Sequence, residues 1–215
     1  MLQIPAGTFD AVIFDLDGTM VDNMSFHLKA WQEFLLRHGK RISSNDYTKD
    51  ISGRTNYVIL RHYFGELPKE EVRAMGREKE TLYRGLYAGK ITPIEGLLEF
   101  LKRLEVLNKK VAVATSAPKA NCSFVLDGLG LGSYFPVVVN GDEILQSKPA
   151  PDIYIETAKR MGAEPSRCIV FEDSPIGFQA AQSAGMHVIA LTTSHEAVEL
   201  PDAIGNVSSF NEIQI

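Results

Sequence analysis

The chain alternates short apolar runs with segments of helical periodicity, and its first apolar run, Ala11–Phe14, is followed at once by acids and a glycine. An unbroken run of β-forming residues is typical of a central parallel strand covered on both faces. Asp15 and Asp17 stand two residues apart at its end. If the chain stays extended, both point the same way at the carboxyl edge, where open α/β sheets bind ligands. Gly18 then lets the backbone turn.

Residues 23–91 show helical periodicity instead. Apolar side chains at helical spacing predict a first helix that Gly39 closes, and residues 57–64 predict a second. Pro68 and the acids after it open a third helix that runs to about residue 87. We find no convincing strand pattern here, so this stretch is predicted to be a helical insertion that leaves the sheet after the first strand. A lid is its natural function.

From residue 92 helices and strands alternate. Helices are predicted at 97–107, 118–129, 151–161 and 175–184, strands at 110–115, 136–140, 168–173 and 187–191, and a short edge element from residue 206. This order is typical of an α/β fold with a doubly wound parallel sheet. We expect residues 1–22 and 92–215 to form an α/β catalytic core, with residues 23–91 as an inserted α-helical cap domain.

Composition narrows the classes of partner. Of 215 residues, 45% are hydrophobic and 23% charged, which is ordinary for a soluble globular protein. The net charge of −5, with no basic tract, disfavours nucleic acid. No run is long enough to cross a bilayer and the amino terminus has no basic leader, so we expect a cytoplasmic protein without a membrane partner. We expect a monomer.

The two cysteines, Cys122 and Cys168, form no Cys-x-x-Cys pair. Neither a disulfide framework nor a thiolate zinc site is therefore indicated. Small core residues are the better interpretation of both.

Polar residues end three of the predicted strands. Asp15, Thr115 and Asp173 each stand at a carboxyl end, and parallel strands place those ends on one rim. Each has a simpler alternative, because Asp and Gly are common in turns and Thr115 or the pair Glu172-Asp173 could cap the following helix. Together they predict a site.

Lys148 completes this predicted site. It precedes Pro149 and Pro151 in a segment where proline restricts the backbone. A solvated surface charge is the alternative interpretation. Next to several carboxylates, the lysine would be a buried counter-ion that holds a phosphate or the nucleophile. Acids this close are costly unless a cation neutralises them or one holds a proton, which points to metal-assisted chemistry.

Four motifs follow one another along nearly the whole chain: Asp15-Leu16-Asp17-Gly18-Thr19, then Thr115, then Lys148-Pro149-x-Pro151, then Glu172-Asp173-Ser174. In this order they resemble the motifs of the haloacid dehalogenase superfamily of phosphotransferases. Within it, the chain is similar to the β-phosphoglucomutase-like proteins with a helical cap. Residues that look like the cap residues of that group are His27-x-x-x-Trp31, Gly53-Arg54 and Lys79-x-x-x-Tyr83.

The resemblance implies roles in phosphoryl transfer. Asp15 would be the nucleophile that forms an aspartyl phosphate, and Asp17 the general acid and then the general base. Thr115, the Ser116 amide and Lys148 would hold the non-bridging phosphate oxygens.

The resemblance also implies a cofactor and a class of substrate. Mg²⁺ would be bound by Asp15, the Asp17 carbonyl and Asp173, with Glu172 close by. The substrate would be a small phosphorylated metabolite, with sugar phosphates expected.

The resemblance assigns substrate binding in the cap to His27, Gly53, Arg54 and Lys79. The planar fork of Arg54 suits a phosphate or polar group at the far end of the substrate. Two alternatives stay open: His27 could be a core residue, and Lys79 and Tyr83, one helical turn apart, could be a solvated surface pair.

Residues 117–121 favour a phosphatase over a mutase. Mutases of the group carry a Ser-Lys-Asn pattern after the second motif to grip a second phosphate, whereas this chain has Ala-Pro-Lys-Ala-Asn. Pro118 has no side-chain donor, and Lys119 is displaced by one position. A β-phosphoglucomutase is the alternative.

Three other classes are weaker. A non-catalytic regulatory protein on the same fold is remote, because Asp15 and Asp173 are both present. A dehalogenase would share the nucleophile, but the second Asp and the acidic fourth motif suit magnesium and phosphate. The glycines at 128, 130 and 132 lack the order of a nucleotide-binding loop.

Overall fold

The structure is a computed structural model that describes residues 1–195 and 203–215. The chain divides into two compact units, one formed by residues 1–22 with 92–215 and the other by residues 23–91. The strands are β1 (Leu2–Gln3), β2 (Ala11–Phe14), β3 (Lys110–Ala114), β4 (Val137–Val139), β5 (Cys168–Glu172), β6 (His187–Leu191), β7 (Gly205–Val207) and β8 (Ile213–Gln214). The helices are α1 (Met24–Arg37), α2 (Ser44–Asp46), α3 (Asn56–Phe64), α4 (Lys69–Tyr87), α5 (Leu97–Val106), α6 (Lys119–Gly128), α7 (Asp152–Met161) and α8 (Pro175–Ser183).

The larger unit is built on a six-stranded parallel sheet in the order β4-β3-β2-β5-β6-β7. β2 lies inside the sheet and all four of its residues are buried, as its unbroken apolar run predicts. Phe14 pairs with Val113 on one side and with Phe171 on the other, so β2, β3 and β5 end at nearly the same level. The predicted doubly wound α/β fold is confirmed.

Both faces of the sheet are covered. On one face, Ala11 and Ile13 pack into a core that includes Tyr154 of α7 and Phe178 of α8. On the other, the ring of Phe14 stacks on that of Phe171 with a centroid distance of 5.4 Å, and Phe100 of α5 packs edge-on at 5.3 Å from Phe171. Alternate residues of β2 therefore pack into cores on opposite faces of the sheet.

The helical unit has a core of its own. Its buried cluster is supplied by α1, α3, α4 and the segment after α2, and comprises Trp31, Phe34, Leu35, Tyr47, Ile51, Ile59, Leu60, Val72 and Met75. The three predicted helices correspond to α1, α3 and α4. The short α2 and the π-helical turn Tyr47–Ile51 were not predicted, because neither is long enough to show a period.

Two further features concern the whole chain. β1 and β8 form a separate parallel pair that was not predicted, since two residues in each strand carry no alternation. Among the residues that the structure describes, none of the helices has the length and apolar character needed to span a bilayer.

Candidate active site

The nucleophile candidate leaves the sheet where β2 ends. Asp15 donates its backbone N–H to the Phe171 carbonyl at 3.0 Å, which ties it to the neighbouring β5. The chain then turns, and Asp17 is half-buried and bridges to Val21.

Gly18 is required at this turn for two reasons. Its φ of +83° lies in the left-handed region, which favours glycine. A Cβ at this position would also lie 2.0 Å from Oδ2 of Asp173. The glycine thus allows the turn after β2 to approach the acid after β5.

Three buried carboxylates meet at the rim of the sheet. Asp15, Glu172 and Asp173 each offer an oxygen, and these atoms all lie within 4.8 Å of one another. The Nζ of Lys148 is 2.6 Å from Oδ1 of Asp15 and 2.5 Å from Oε1 of Glu172. Lys148 is only 3% exposed, so it is a buried counter-ion and not a surface charge.

Glu172 is held by donors on both oxygens. Oε1 accepts from Lys148 and, at 2.8 Å, from the hydroxyl of Tyr154. Oε2 accepts from the backbone N–H of Asp173 at 3.0 Å and from the N–H and Oγ of Ser174, each at 3.1 Å. This carboxylate is therefore an anchor for Lys148. No role was predicted for Tyr154 from the sequence. The available signal was its position in the first turn of α7, close after Lys148.

The electrostatics show an excess of buried negative charge. Burial raises the pKa of Asp15 well above its ordinary value and the pKa of Asp173 to about 8, with Glu172 adding to both. Burial also acts against ionisation of Glu172, but Lys148 and the donated hydrogen bonds hold its pKa below the usual range. One ammonium group thus faces three carboxylates.

A hard divalent cation fits this cluster. Carboxylate oxygens are the ligands that Mg²⁺ takes, and a second cation would offset the charge that Lys148 leaves unbalanced. Asp15 and Asp173 are the members best suited to bind it, because the oxygens of Glu172 already accept hydrogen bonds from several donors.

The capping alternatives for the rim residues are not what the structure shows. Thr115 Oγ1 accepts from the N–H of Ala117 at 3.1 Å, while the first N–H of α6, at Lys119, donates to Asp142 at 2.9 Å. For α8 the cap is Ser174, whose side chain accepts from the N–H of Gly177. Thr115 and Asp173 are therefore not occupied as helix caps. Ser116, next to Thr115, is half-buried.

The predicted cap residues lie in the helical unit. Nζ of Lys79 is 3.0 Å from Nδ1 of His27 and 2.9 Å from Oε1 of Glu80, and the ring of His27 stacks on Tyr83 with a centroid distance of 3.8 Å. Lys79 is 2% and Tyr83 0% exposed, which excludes a solvated pair. An ammonium group can only donate, so in this contact His27 accepts through Nδ1.

The other two predicted cap residues lie just before α3. Gly53 has a φ of +73°, and Arg54, which is half-buried, donates its backbone N–H to the Ile51 carbonyl at 3.1 Å. Arg54 therefore lies between the π-helical turn, which ends at Ile51, and the start of α3 at Asn56.

Comparison with known proteins supplies an independent line of evidence. A family model described as haloacid dehalogenase-like hydrolase matches residues 12–191. Fructose-1-phosphate phosphatase YqaB of Escherichia coli (strain K12) is 33% identical over 183 residues, covering 84% of this chain and 95% of that protein. The phosphorylated carbohydrates phosphatase of Thermotoga maritima is 30% identical over 185 residues, covering 84% of this chain and 83% of that protein.

Solved structures of haloacid dehalogenase-type proteins have a similar fold. A haloacid dehalogenase hydrolase of family IA, variant 3, from Entamoeba histolytica superposes with a TM-score of 0.86 at 31% identity and covers 96% of each chain. The β-phosphoglucomutase of Clostridium difficile superposes with a TM-score of 0.85 at 26% identity, covering 96% of this chain and 94% of its own.

Proposed function

Because this chain belongs to the haloacid dehalogenase-like hydrolase family, we propose that it is a Mg²⁺-dependent phosphatase of small phosphorylated metabolites, with sugar phosphates as its substrates. The observation that carries the proposal is the buried cluster in which one lysine bridges Asp15 and Glu172 beside Asp173. The relatives named as phosphatases of fructose 1-phosphate and of phosphorylated carbohydrates support the substrate class.

The first half-reaction forms an aspartyl phosphate. Asp15 attacks phosphorus with a carboxylate oxygen, the bond from phosphorus to the substrate oxygen breaks, and Asp17 protonates the departing alcohol. Lys148 lies 2.6 Å from the attacking group and keeps it oriented. Thr115, the Ser116 N–H and Lys148 hold the non-bridging oxygens.

The second half-reaction hydrolyses that intermediate. Asp17, now ionised, takes a proton from water as the water attacks phosphorus, and the bond to the Asp15 oxygen breaks to release inorganic phosphate. Mg²⁺, held by Asp15, the Asp17 carbonyl and Asp173 with Glu172 alongside, would screen the repulsion between carboxylate and phosphate.

The helical unit would select the substrate. We assign the far end of the substrate to Gly53 and Arg54, whose guanidinium fork suits a phosphate or several hydroxyl oxygens. Lys79 and His27 would act together, because the ammonium group of Lys79 already contacts both Glu80 and His27 Nδ1. A cap of this kind would shield the intermediate from stray water.

A β-phosphoglucomutase is the second candidate, favoured by the structural similarity to the C. difficile enzyme. Both functions need Asp15, Asp17 and magnesium. Pro118 stands against the mutase, because it offers no side-chain donor for a second phosphate.

Phosphate release separates the two candidates. We expect the protein with Mg²⁺ to release one equivalent of phosphate from a hexose monophosphate without any primer, and a panel of phosphorylated metabolites would identify the preferred one. The mutase assay supplies β-glucose 1-phosphate with a bisphosphate primer. Interconversion to glucose 6-phosphate that is much faster than phosphate release would overturn the phosphatase proposal.

A further inference from the structure

A short polar segment follows β6 at the carboxyl edge of the sheet. β6 ends at Leu191, and we call the residues Thr193, Ser194 and His195 the post-β6 segment. β6 is the neighbour of β5 in the sheet, and Asp173 comes directly after β5. The reaction proposed above gives this segment no role.

Two of its side chains contact Asp173. Ser194 Oγ is within hydrogen-bonding distance of the carboxylate Oδ2 and lies 3.0 Å from the Asp173 carbonyl oxygen. His195 Nδ1 is 3.0 Å from the same carbonyl oxygen and 2.9 Å from Ser194 Oγ. His195 is only 8% exposed, so water competes little for these contacts.

The number of available hydrogens decides which group donates in each of these hydrogen bonds. Ser194 has one hydroxyl hydrogen, whereas an ionised Asp173 carboxylate and a backbone carbonyl can only accept. The arrangement that satisfies every atom has the Ser194 hydroxyl donating to Oδ2, and His195 Nδ1–H shared between the Asp173 carbonyl and Ser194 Oγ. Donation by His195 to the serine oxygen then strengthens the serine's own hydrogen bond to the carboxylate.

The third side chain of the segment contacts the turn after β2. Thr193 Oγ1 donates to the carbonyl of Gly18, the glycine whose turn lies against Asp173. Thr19, the next residue, places its hydroxyl 3.3 Å from Oδ1 of Asp173. The post-β6 segment therefore contacts both the turn after β2 and the acid after β5.

We propose that the post-β6 segment is a positioning element, in which Ser194 and His195 fix the Asp173 carboxylate and Thr193 fixes the Gly18 turn, so that Asp173 is held in one orientation for Mg²⁺. This inference rests on the proposed function, which takes Asp173 to be a magnesium ligand. Each carboxylate oxygen has two acceptor positions, so one donor on Oδ1 and one on Oδ2 still leave a position at each for the ion.

Titration of the full-length protein with MgCl₂ alone, followed by calorimetry, tests this. Losing a hydrogen bond that orients a metal ligand typically costs about 10- to 100-fold in metal affinity. We expect Ser194→Ala to raise the Kd for Mg²⁺ by that factor, and Ser194→Thr, which keeps the hydroxyl, to recover most of it. Thr192→Val is the matched control, because its hydroxyl lies 3.3 Å from the Val207 carbonyl and does not contact the acids.

A second pair of variants tests the same proposal if the Ser194→Ala protein does not fold. His195→Asn keeps an N–H near the position of Nδ1, whereas His195→Leu does not, so only the leucine variant should weaken Mg²⁺ binding. In turnover, a positioning role predicts a higher KM for Mg²⁺ with kcat restored at saturating Mg²⁺.

The outcomes are distinguishable from those of the proposed function. Unchanged Mg²⁺ affinity in both Ser194→Ala and His195→Leu would overturn this inference and leave the phosphatase proposal intact. A wild-type protein that binds no Mg²⁺ would overturn the magnesium site itself and the inference with it.

Discussion

At the scale of single residues, the site depends on the charge balance around Asp15. Its carboxylate is buried with Glu172 and Asp173, and Lys148 is the cation that contacts two of the three. A carboxylate in such a place stays ionised only where specific charges stabilise it. Neutralising Asp15, the proposed nucleophile, should therefore leave the fold intact while it removes the chemistry.

We predict that Asp15→Asn lowers turnover by at least about 10³-fold, because the amide cannot attack phosphorus. The unfolding temperature should stay the same or rise, because the substitution reduces the repulsion among buried carboxylates. Steady-state phosphate release and thermal unfolding measure the two effects. Asp10→Asn is the control, because Asp10 is exposed and its contact with Arg167 is of the surface type that contributes little. Activity of Asp15→Asn within tenfold of wild type would contradict the assignment.

At the scale of elements, the first turn of helix α8 packs against Glu172, the residue that anchors Lys148. A Cβ on Gly177 would lie 1.7 Å from Oε1 of Glu172 and 2.5 Å from Oε2. Both oxygens are held by donors from Lys148, Tyr154 and Ser174, so the carboxylate has no free direction in which to move. This close approach of helix and strand end therefore requires glycine.

A pair of glycine-to-alanine substitutions in helices tests that packing. Gly177→Ala should destabilise the protein by about 1–3 kcal/mol, the usual cost of overpacking, and should lower activity by displacing Glu172. Gly85→Ala in α4 is the matched control. A Cβ there meets nothing within 4 Å, so alanine should stabilise by about 0.5–1 kcal/mol through its higher helix propensity. Chemical denaturation gives both values, and the same sign for the two variants would refute the packing argument.

At the scale of the whole molecule, the rim of one parallel sheet gathers acids from separate parts of the chain. Asp15 and Asp173 are 158 positions apart (173 − 15), yet each carries an oxygen of the same cluster. Their mutual repulsion opposes folding of the metal-free protein, and a bound divalent cation would offset it. Stability should therefore respond to the metal.

We predict that Mg²⁺ raises the unfolding temperature over that in a chelator, by an amount that grows from pH 6 to pH 8. Burial raises the pKa of Asp173 to about 8, so protonation of Asp173 stabilises the metal-free fold at low pH, and this stabilisation is lost as the pH rises through that value. Mg²⁺ binds the ionised carboxylate. Saturation at 100 times Kd is worth about 2.7 kcal/mol. Thermal unfolding with MgCl₂ or with EDTA at each pH measures the difference, and an equal shift at both pH values would contradict it.

Much of this architecture could be predicted from local sequence. Central strand β2 follows from its apolar run, helices α5, α7 and α8 from periodicity and their leading glycine or prolines, and the shared rim from the rule that parallel strands end together. That rule also identified Asp15, Thr115 and Asp173. The strand and the helices can be predicted because each depends on residues close in the chain, whose spacing is visible in the sequence.

Tertiary structure alone decided which of these side chains touch. Three contacts were visible only in the structure: that of Lys148 with Glu172, the hydrogen bond from Tyr154 to Glu172, and the contacts of Ser194 with Asp173. Each joins residues from separate parts of the chain. Thr193 and Ser194 follow a predicted strand and so belong to the same rim of the sheet. Nothing in their spacing along the chain shows that Ser194 contacts Asp173, which follows the neighbouring strand. Such contacts depend on strand order and register, which arise when the whole sheet packs and which no single segment encodes.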